Sequence, residues 1–208
     1  MALCDECHNE LIFKDNSCKR CALPLSTDSH QWLCGHCQLY PPCFDAAISL
    51  FDYHRPIDHL IHQLKFSRRL AVARLFGQLL AEHVQNHANE LPECIIPIPL
   101  SRQRLRERGF NQSIELARPV RRILGLPIER YLLKRTQHRT AQMHLDLDQR
   151  QDNIAGVFKV SGEPRYKHVA LLDDVVTTMA TVNEASRVLK EAGVERVDVW
   201  SVARAVKQ

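Results

Sequence analysis

Seven of the eight cysteines fall within the first 43 residues, six of them as three Cys-x-x-Cys pairs: Cys4/Cys7, Cys18/Cys21 and Cys34/Cys37, with Cys43 alone. The two-residue spacing lets both thiolates of a pair turn toward one cation, and two such pairs complete a tetrahedral site at about 2.3 Å per Zn–S bond. A segment this short with few large apolar side chains buries too little surface to fold unaided, so metal binding supplies the free energy its core lacks. The chain therefore divides into an N-terminal zinc ribbon, 1–43, and a larger unit, 44–208. Three pairs do not divide into fours. Cys18, Cys21, Cys34 and Cys37 make one quartet, and Cys4, Cys7, Cys18 and Cys21, with a ten-residue spacer, make another. His8, His30, His36 or Cys43 can complete a second site with the pair left over, which otherwise stays a free dithiol. Cys94, within Cys-Ile-Ile-Pro-Ile, reads as a small core residue.

A cysteine set of this kind belongs in a reducing compartment, where thiols bind metal rather than pair as disulfides. The opening residues Met1-Ala-Leu-Cys-Asp-Glu lack the basic and apolar regions of a secretory signal, and no apolar run approaches the roughly 18 residues of a membrane span. A cytoplasmic protein with no stable membrane insertion is expected. After Pro41-Pro42 the composition changes to alternating elements: strands over 46–53, 94–98, 169–172 and 196–203, and helices over 57–66, 71–87, 111–124 and 182–192. Strands separated by helices predict an α/β fold with a parallel sheet and right-handed crossovers, whose ligands sit at the carboxyl ends of the strands.

One such end carries chemistry. The run Val169-Ala-Leu-Leu-Asp-Asp-Val-Val-Thr-Thr-Met-Ala-Thr181 has four apolar residues, two adjacent carboxylates and then hydroxyl residues opening an amphipathic segment. Unpaired N–H groups at a helix N-terminus, with the helix dipole behind them, bind phosphate, and Thr177, Thr178 and Thr181 add hydroxyl donors. Asp173 and Asp174 repel a phosphate, so they face a ribose diol or Mg²⁺ bridging to a diphosphate. Together these describe a phosphoribosyl ligand held by Asp173, Asp174, Val175, Val176, Thr177, Thr178, Met179, Ala180 and Thr181. The plainer alternative is a solvated acidic strand end before a Thr-capped helix.

Basic charge is concentrated elsewhere. Residues 101–150 hold 12 Lys and Arg against 5 Asp and Glu, in a chain whose net charge is only +4. Arg102, Arg104, Arg106 and Arg108 alternate, so an extended loop would aim them to one side, where guanidinium forks meet phosphates. Gly109-Phe-Asn-Gln112 then enters a helix with Asn111 as N-cap, and Gly125 with Pro127 marks its end. A solvated basic loop beside a helix is the alternative. Aromatic residues are sparse at 6%, so nucleic-acid binding would rest on phosphate contacts and fall with salt.

The Asp-Asp-Val-Val-Thr-Thr run, the Arg-rich stretch before Gly-Phe-Asn-Gln and the cysteine pairs, in that order of strength, resemble the ComF family of late competence proteins and their GntX-like relatives. The likeness runs essentially from residue 4 to 206. It implies a type I phosphoribosyltransferase fold, a parallel sheet flanked by helices, with a small N-terminal zinc-ribbon domain. The family commonly opens with four cysteine pairs, of which this chain matches the second, third and fourth, and that alignment places Cys18, Cys21, Cys34 and Cys37 in one ribbon. His62-Gln-Leu-Lys-Phe66 resembles a family signature in which Lys65, after a helix, reaches a diphosphate. Arg135-Thr-Gln-His-Arg139-Thr-Ala-Gln142, followed by Arg150, Asn153, Ala155 and Phe158, resembles a loop that closes over the ligand in phosphoribosyltransferases. Met179 departs from the family Gly, and must adopt a strained conformation or keep the loop in an ordinary one.

The resemblance implies an accessory protein of natural transformation. It would aid uptake or handling of incoming single-stranded DNA, carry a pocket for phosphoribosyl pyrophosphate or a related nucleotide with Mg²⁺, and meet competence or recombination proteins. The arginines 102, 104, 106, 108 and 139 would serve DNA or the diphosphate. The alternative is an active phosphoribosyltransferase, with Asp173 and Asp174 as its catalytic carboxylates and Mg²⁺ with Lys and Arg steadying departing pyrophosphate. No hood segment for a nucleobase is identifiable in the sequence.

Overall fold

Apolar runs that lack the polar–apolar alternation of a half-buried strand need cover on both faces, and the chain provides it. The computed structural model describes residues 6, 11, 13–14, 16–26, 32–136 and 156–206. In chain order the described elements are α1 (Gly35–Leu39), β1 (Ala46–Asp52), α2 (Ile57–Ser67), α3 (Leu70–His87), β2 (Cys94–Pro97), α4 (Arg102–Arg108), α5 (Gln112–Leu124), β3 (Leu133–Arg135), β4 (Phe158–Val160), β5 (His168–Val176), α6 (Ala180–Glu191) and β6 (Arg196–Arg204). β1, β6, β5 and β2 form a sheet in that order, every pair parallel, while β3 and β4 pair antiparallel in a separate ribbon. Parallel strands need crossovers, and the helices that make them cover both faces of the sheet.

The two-residue period of each strand sorts side chains between the faces. Ile95, Leu172 and Trp200 point into a core shared with Phe76 and Leu80 of α3 and Leu116 and Val120 of α5. Ile96, Leu171 and Val199 point the other way, onto Val182, Ala185 and Leu189 of α6 and Phe158 of β4. On the first face α3 and α5 come unusually close. A Cβ added to Gly77 would lie 2.2 Å from Pro119 Cγ and 2.6 Å from the Leu116 carbonyl oxygen, so only glycine admits this approach.

The cysteine-bearing segment is stitched onto edge strand β1. Lys14 N donates to Leu50 O at 3.0 Å and Ala47 N to Lys19 O at 3.1 Å, the Phe13 and Phe51 rings lie 5.0 Å apart, and the buried Lys14 ammonium reaches Asp52 at 2.7 Å.

The elements expected from the sequence lie within a few residues of their predicted positions, with two corrections, while α1 and the β3–β4 ribbon had no counterpart in that expectation. The arginine stretch is not an extended loop but the helix α4, capped by the Ser101 hydroxyl on Arg104 N at 3.2 Å and closed by Gly109 at φ 77°. Helical pitch therefore distributes Arg102, Arg104, Arg106 and Arg108 around the axis instead of aligning them on one side. And β5 does not end at Leu172: it continues through both aspartates to Val176, where it still pairs with Arg204 of β6. The expected helix over 111–124 begins, as its cap requires, with Asn111 Oδ1 accepting from Ser113 N at 2.9 Å, and stops at Gly125 with φ 72°.

Candidate functional site

Asp173 and Asp174 lie near the carboxyl end of β5, and each folds one oxygen back onto its own chain. Asp173 Oδ1 accepts from Asp174 N at 2.9 Å and Asp174 Oδ1 from Val175 N at 2.8 Å. Ser113, in the first turn of α5, donates its hydroxyl to Asp173 Oδ1 at 3.1 Å. Asp174 is buried, and its second oxygen receives no directed hydrogen bond among the described residues. That oxygen faces Lys65 Nζ at 3.1 Å, from the last turn of α2. Asp173 keeps an edge in contact with water but lies deep in the cleft. Loss of hydration there, and then the charge of Asp174, push its carboxyl up to about 7. A pair of adjacent carboxylates beside a lysine suits hydroxyl donors, and in its fully ionised form a hard cation.

Beyond Val176 the chain turns through Thr177, Thr178 and Met179 into α6. No hydroxyl caps this helix: the N-cap is Met179, in the left-handed conformation at φ 66°, ψ −9°. Among the described residues the amides from Thr177 to Val182 donate to no protein acceptor, and the first turn contains no acidic side chain. These amides bound a hollow of about 30 Å³ lined by Asp173 and residues 175–182. Free N–H groups at the positive end of a helix attract an oxyanion, and the space fits a phosphate group rather than a base. The strained conformation is therefore the one the chain takes at position 179. Its cost, on the order of 1–2 kcal/mol for a non-glycine residue, is offset where the Met179 side chain packs against both the α6 face of the core and the cysteine cluster.

That cluster comprises Cys18, Cys21, Cys34 and Cys37, whose sulfurs all lie within 4.8 Å of one another. Cys21 and Cys34 Sγ are 3.6 Å apart, close to the roughly 3.8 Å edge of a tetrahedron built on 2.3 Å metal–sulfur bonds. Cys34 N donates to Cys18 Sγ at 3.3 Å, the backbone support that thiolate knuckles use. The four residues fit a tetrahedral metal centre. The later quartet is thus the one brought together; Cys4 and Cys7, like His8 and His30, lie outside the described residues. Cys43 does not join the cluster: its backbone N–H donates to Asn183 Oδ1 of α6 at 2.7 Å. Cys94 is fully buried, and burial pushes its thiol up to about 12, as befits an inert core residue.

Arg204, the last residue of β6, ties the two sites together. Only 3% exposed, it donates from Nε to Cys21 O at 3.0 Å. From Nη1 it donates to Val176 O at 3.0 Å, Ala205 O at 2.7 Å and the carbonyl of Thr177. Burial lowers its pKa.

No family model matches the chain. Its relatives are informative. It is 34% identical over 210 residues to Competence protein F of Haemophilus influenzae, covering 98% of this chain and 90% of that protein. It is 35% identical over 207 residues to DNA utilization protein YhgH of Escherichia coli K12, covering 97% and 90%. The chain belongs to the ComF family. Competence protein ComFC of Streptococcus pneumoniae is a more distant relative, 28% identical over 209 residues and covering 97% of this chain and 87% of that protein. Among solved structures, the glutamine phosphoribosylpyrophosphate amidotransferase of B. subtilis shares 17% identity at a TM-score of 0.41, covering 62% of this chain and 25% of that one. That likeness is too distant to bear on the site.

Set against the ComF expectations, Asp173, Val175, Val176, Thr177, Thr178, Met179, Ala180 and Thr181 line one hollow, and Asp174, next to Asp173 in the strand, pairs with Lys65. Lys65 lies within α2 rather than after it, and it is engaged by Asp174. Of the arginines, 102, 104, 106 and 108 sit on α4, whereas Arg139, with Arg150 and Asn153, lies outside the described residues. Three contributors escaped the sequence reading. Ser113 could have been found from the Asn111 cap that fixes α5 beside the strand end. Arg135 was noticed only as part of a loop, yet it is close enough for its charge to act on Asp173, and burial lowers its pKa. Arg204 carried no distinctive signal, since the same strand also holds Arg196, Asp198 and Ser201.

Proposed function

We propose that this ComF-family protein is an accessory factor of DNA uptake, handling incoming single-stranded DNA in natural transformation, and that its cleft holds phosphoribosyl pyrophosphate or a related nucleotide. The observation that carries the ligand class is the conjunction at the end of β5: two adjacent carboxylates, one of them paired with Lys65, followed at once by six unpaired amides opening α6. The carboxylates would hold the ribose hydroxyls, the amides with Thr177, Thr178 and Thr181 the 5′-phosphate, and Lys65 with Arg135 the diphosphate, to which Mg²⁺ would add charge neutralisation. The four cysteines would hold zinc, the ion whose preferred geometry and ligands they match. The DNA role is supported by relatives named for competence and for DNA utilization. Cytoplasmic placement is part of this proposal; no helix among the described residues is long and apolar enough to cross a membrane.

Calorimetric titration of phosphoribosyl pyrophosphate with Mg²⁺ tests the pocket. Heat is expected with the wild type and not with Asp173→Ala. Met179→Gly should bind within about twofold of wild type, because the free loop already has the conformation glycine favours. No heat for the wild type removes the pocket reading.

A second reading, that the pocket also catalyses phosphoribosyl transfer, draws on Asp173, whose pKa of about 7 suits general acid–base work at neutral pH. Release of pyrophosphate on incubation with a panel of nucleobases, lost in Asp173→Asn, is the outcome that reading requires.

A further inference from the structure

The positive charge of this chain is not confined to α4. Arg68 and Arg69, in the turn between α2 and α3, are exposed. Arg68 Nε donates to the Arg108 carbonyl at 3.1 Å, which joins that turn to the end of α4. The Arg108 guanidinium lies 5.6 Å over the ring of Phe66, an exposed aromatic whose ring is 4.6 Å from that of His62. From this point a groove of about 380 Å³ runs between α3 and α5, lined by Leu70, Arg74, Glu115, Arg118, Pro119 and Arg122. Its acidic residue is spent on Arg118 at 2.8 Å, which leaves Arg74 and Arg122 without an ion-pair partner among the described residues. Leu70 of its lining follows that turn directly, and from Glu115 to Arg122 the groove extends about 10 Å along α5.

We infer that this groove, beside the end of α2 that carries Phe66, is a phosphate track for single-stranded nucleic acid. The inference rests on the reading that the protein handles DNA, and gives that reading a surface. Guanidinium groups spaced along a concavity match a flexible polyanion, and a duplex is too wide to follow a channel between two helices. Phe66, flanked by a guanidinium and an imidazole, offers a stacking face that only an unpaired base can reach. An anionic bilayer would meet these arginines as a flat sheet and gain little from a recess.

Fluorescence anisotropy with a labelled oligothymidylate, across a salt series on the full chain, tests this. Replacing Arg74 and Arg122 together by Gln, exposed positions whose change should leave the fold intact, is expected to weaken binding. The slope of log affinity against log salt should fall by roughly 1.4, about 0.7 for each phosphate that is no longer neutralised. Phe66→Ala is expected to cost about tenfold in affinity with the salt slope unchanged, because stacking displaces no counterions. Heats of phosphoribosyl pyrophosphate binding should be the same in all these variants. Wild-type binding whose slope is unmoved by the Arg74/Arg122 change overturns the track and leaves the DNA reading standing. Absence of oligonucleotide binding by the wild type overturns both, and so does arginine-dependent binding to phosphatidylglycerol vesicles in its place. Preference for duplex over single strand overturns the track alone.

Discussion

Asp173 shows how a single carboxyl can record its surroundings. In the folded chain it holds its proton up to about 7, because the cleft strips its water and Asp174 adds a second negative charge. An unfolded chain releases the same proton near 4. Between those values the folded state binds the extra proton, so this residue's contribution to stability is greatest at the acid end and declines as the pH rises toward 7. Urea midpoints at pH 5.5 and 7.5 should therefore fall more steeply for the wild type than for Asp173→Asn, which has no proton to lose. Parallel slopes for the two proteins would refute the assignment. The comparison between variants matters, because acid also protonates metal-binding thiolates and pulls the other way in both proteins.

At the scale of elements, the helix pair α3–α5 positions the cleft through the turn at Ser113, and its closeness depends on one residue. Gly77→Ala gains about 1 kcal/mol of helix propensity, but its methyl group meets the buried Pro119 ring and a backbone carbonyl within 2.6 Å. Overpacking of this kind typically costs about 1–3 kcal/mol, and here the obstacles are too rigid to yield cheaply. Denaturant unfolding should report a net loss. A gain in stability would mean that the helices can separate freely. The sheet and its crossover helices were legible in the sequence because long apolar strands and capped amphipathic helices such as 111–124 follow local rules. The helix α4 was misread. Arginine at every second position mimics an extended period, but Arg, Gln, Glu and Leu are good helix formers, and Ser101 and Gly109 already marked the two ends. The aspartates and the loop were legible as a cluster because they are contiguous in the chain. Arg204 and Arg135 reach the strand end and its loop from two other elements, and such convergence is a property of the fold that no local pattern carries.

For the whole molecule, the cysteine cluster and the loop are one mechanical unit. Met179 rests on the cysteines, and the Arg204 guanidinium spans from the Cys21 carbonyl to those of Val176 and Thr177. Stripping the metal with a chelator at neutral pH should release Cys21 from its place, loosen both supports and weaken phosphoribosyl ligand binding by about tenfold or more, with recovery on adding zinc back. Calorimetry before and after chelation measures it directly. Equal affinity in the two states would show that the loop stands on its own.

The strand order has a temporal side as well. β1 pairs with β6 and with no other strand of the sheet, and β6 follows every other described element in the chain. During synthesis, β1 and the cysteine knuckle stitched to it emerge first, and must wait until Arg204 has left the ribosome before they meet their partner. Before that moment the growing chain exposes an unpaired apolar edge on β1 and another on β5. A metal loaded early onto these four cysteines would hold the knuckle in shape through that interval, so metal supply during translation, as much as in the finished protein, would bear on how much of this chain reaches its native fold.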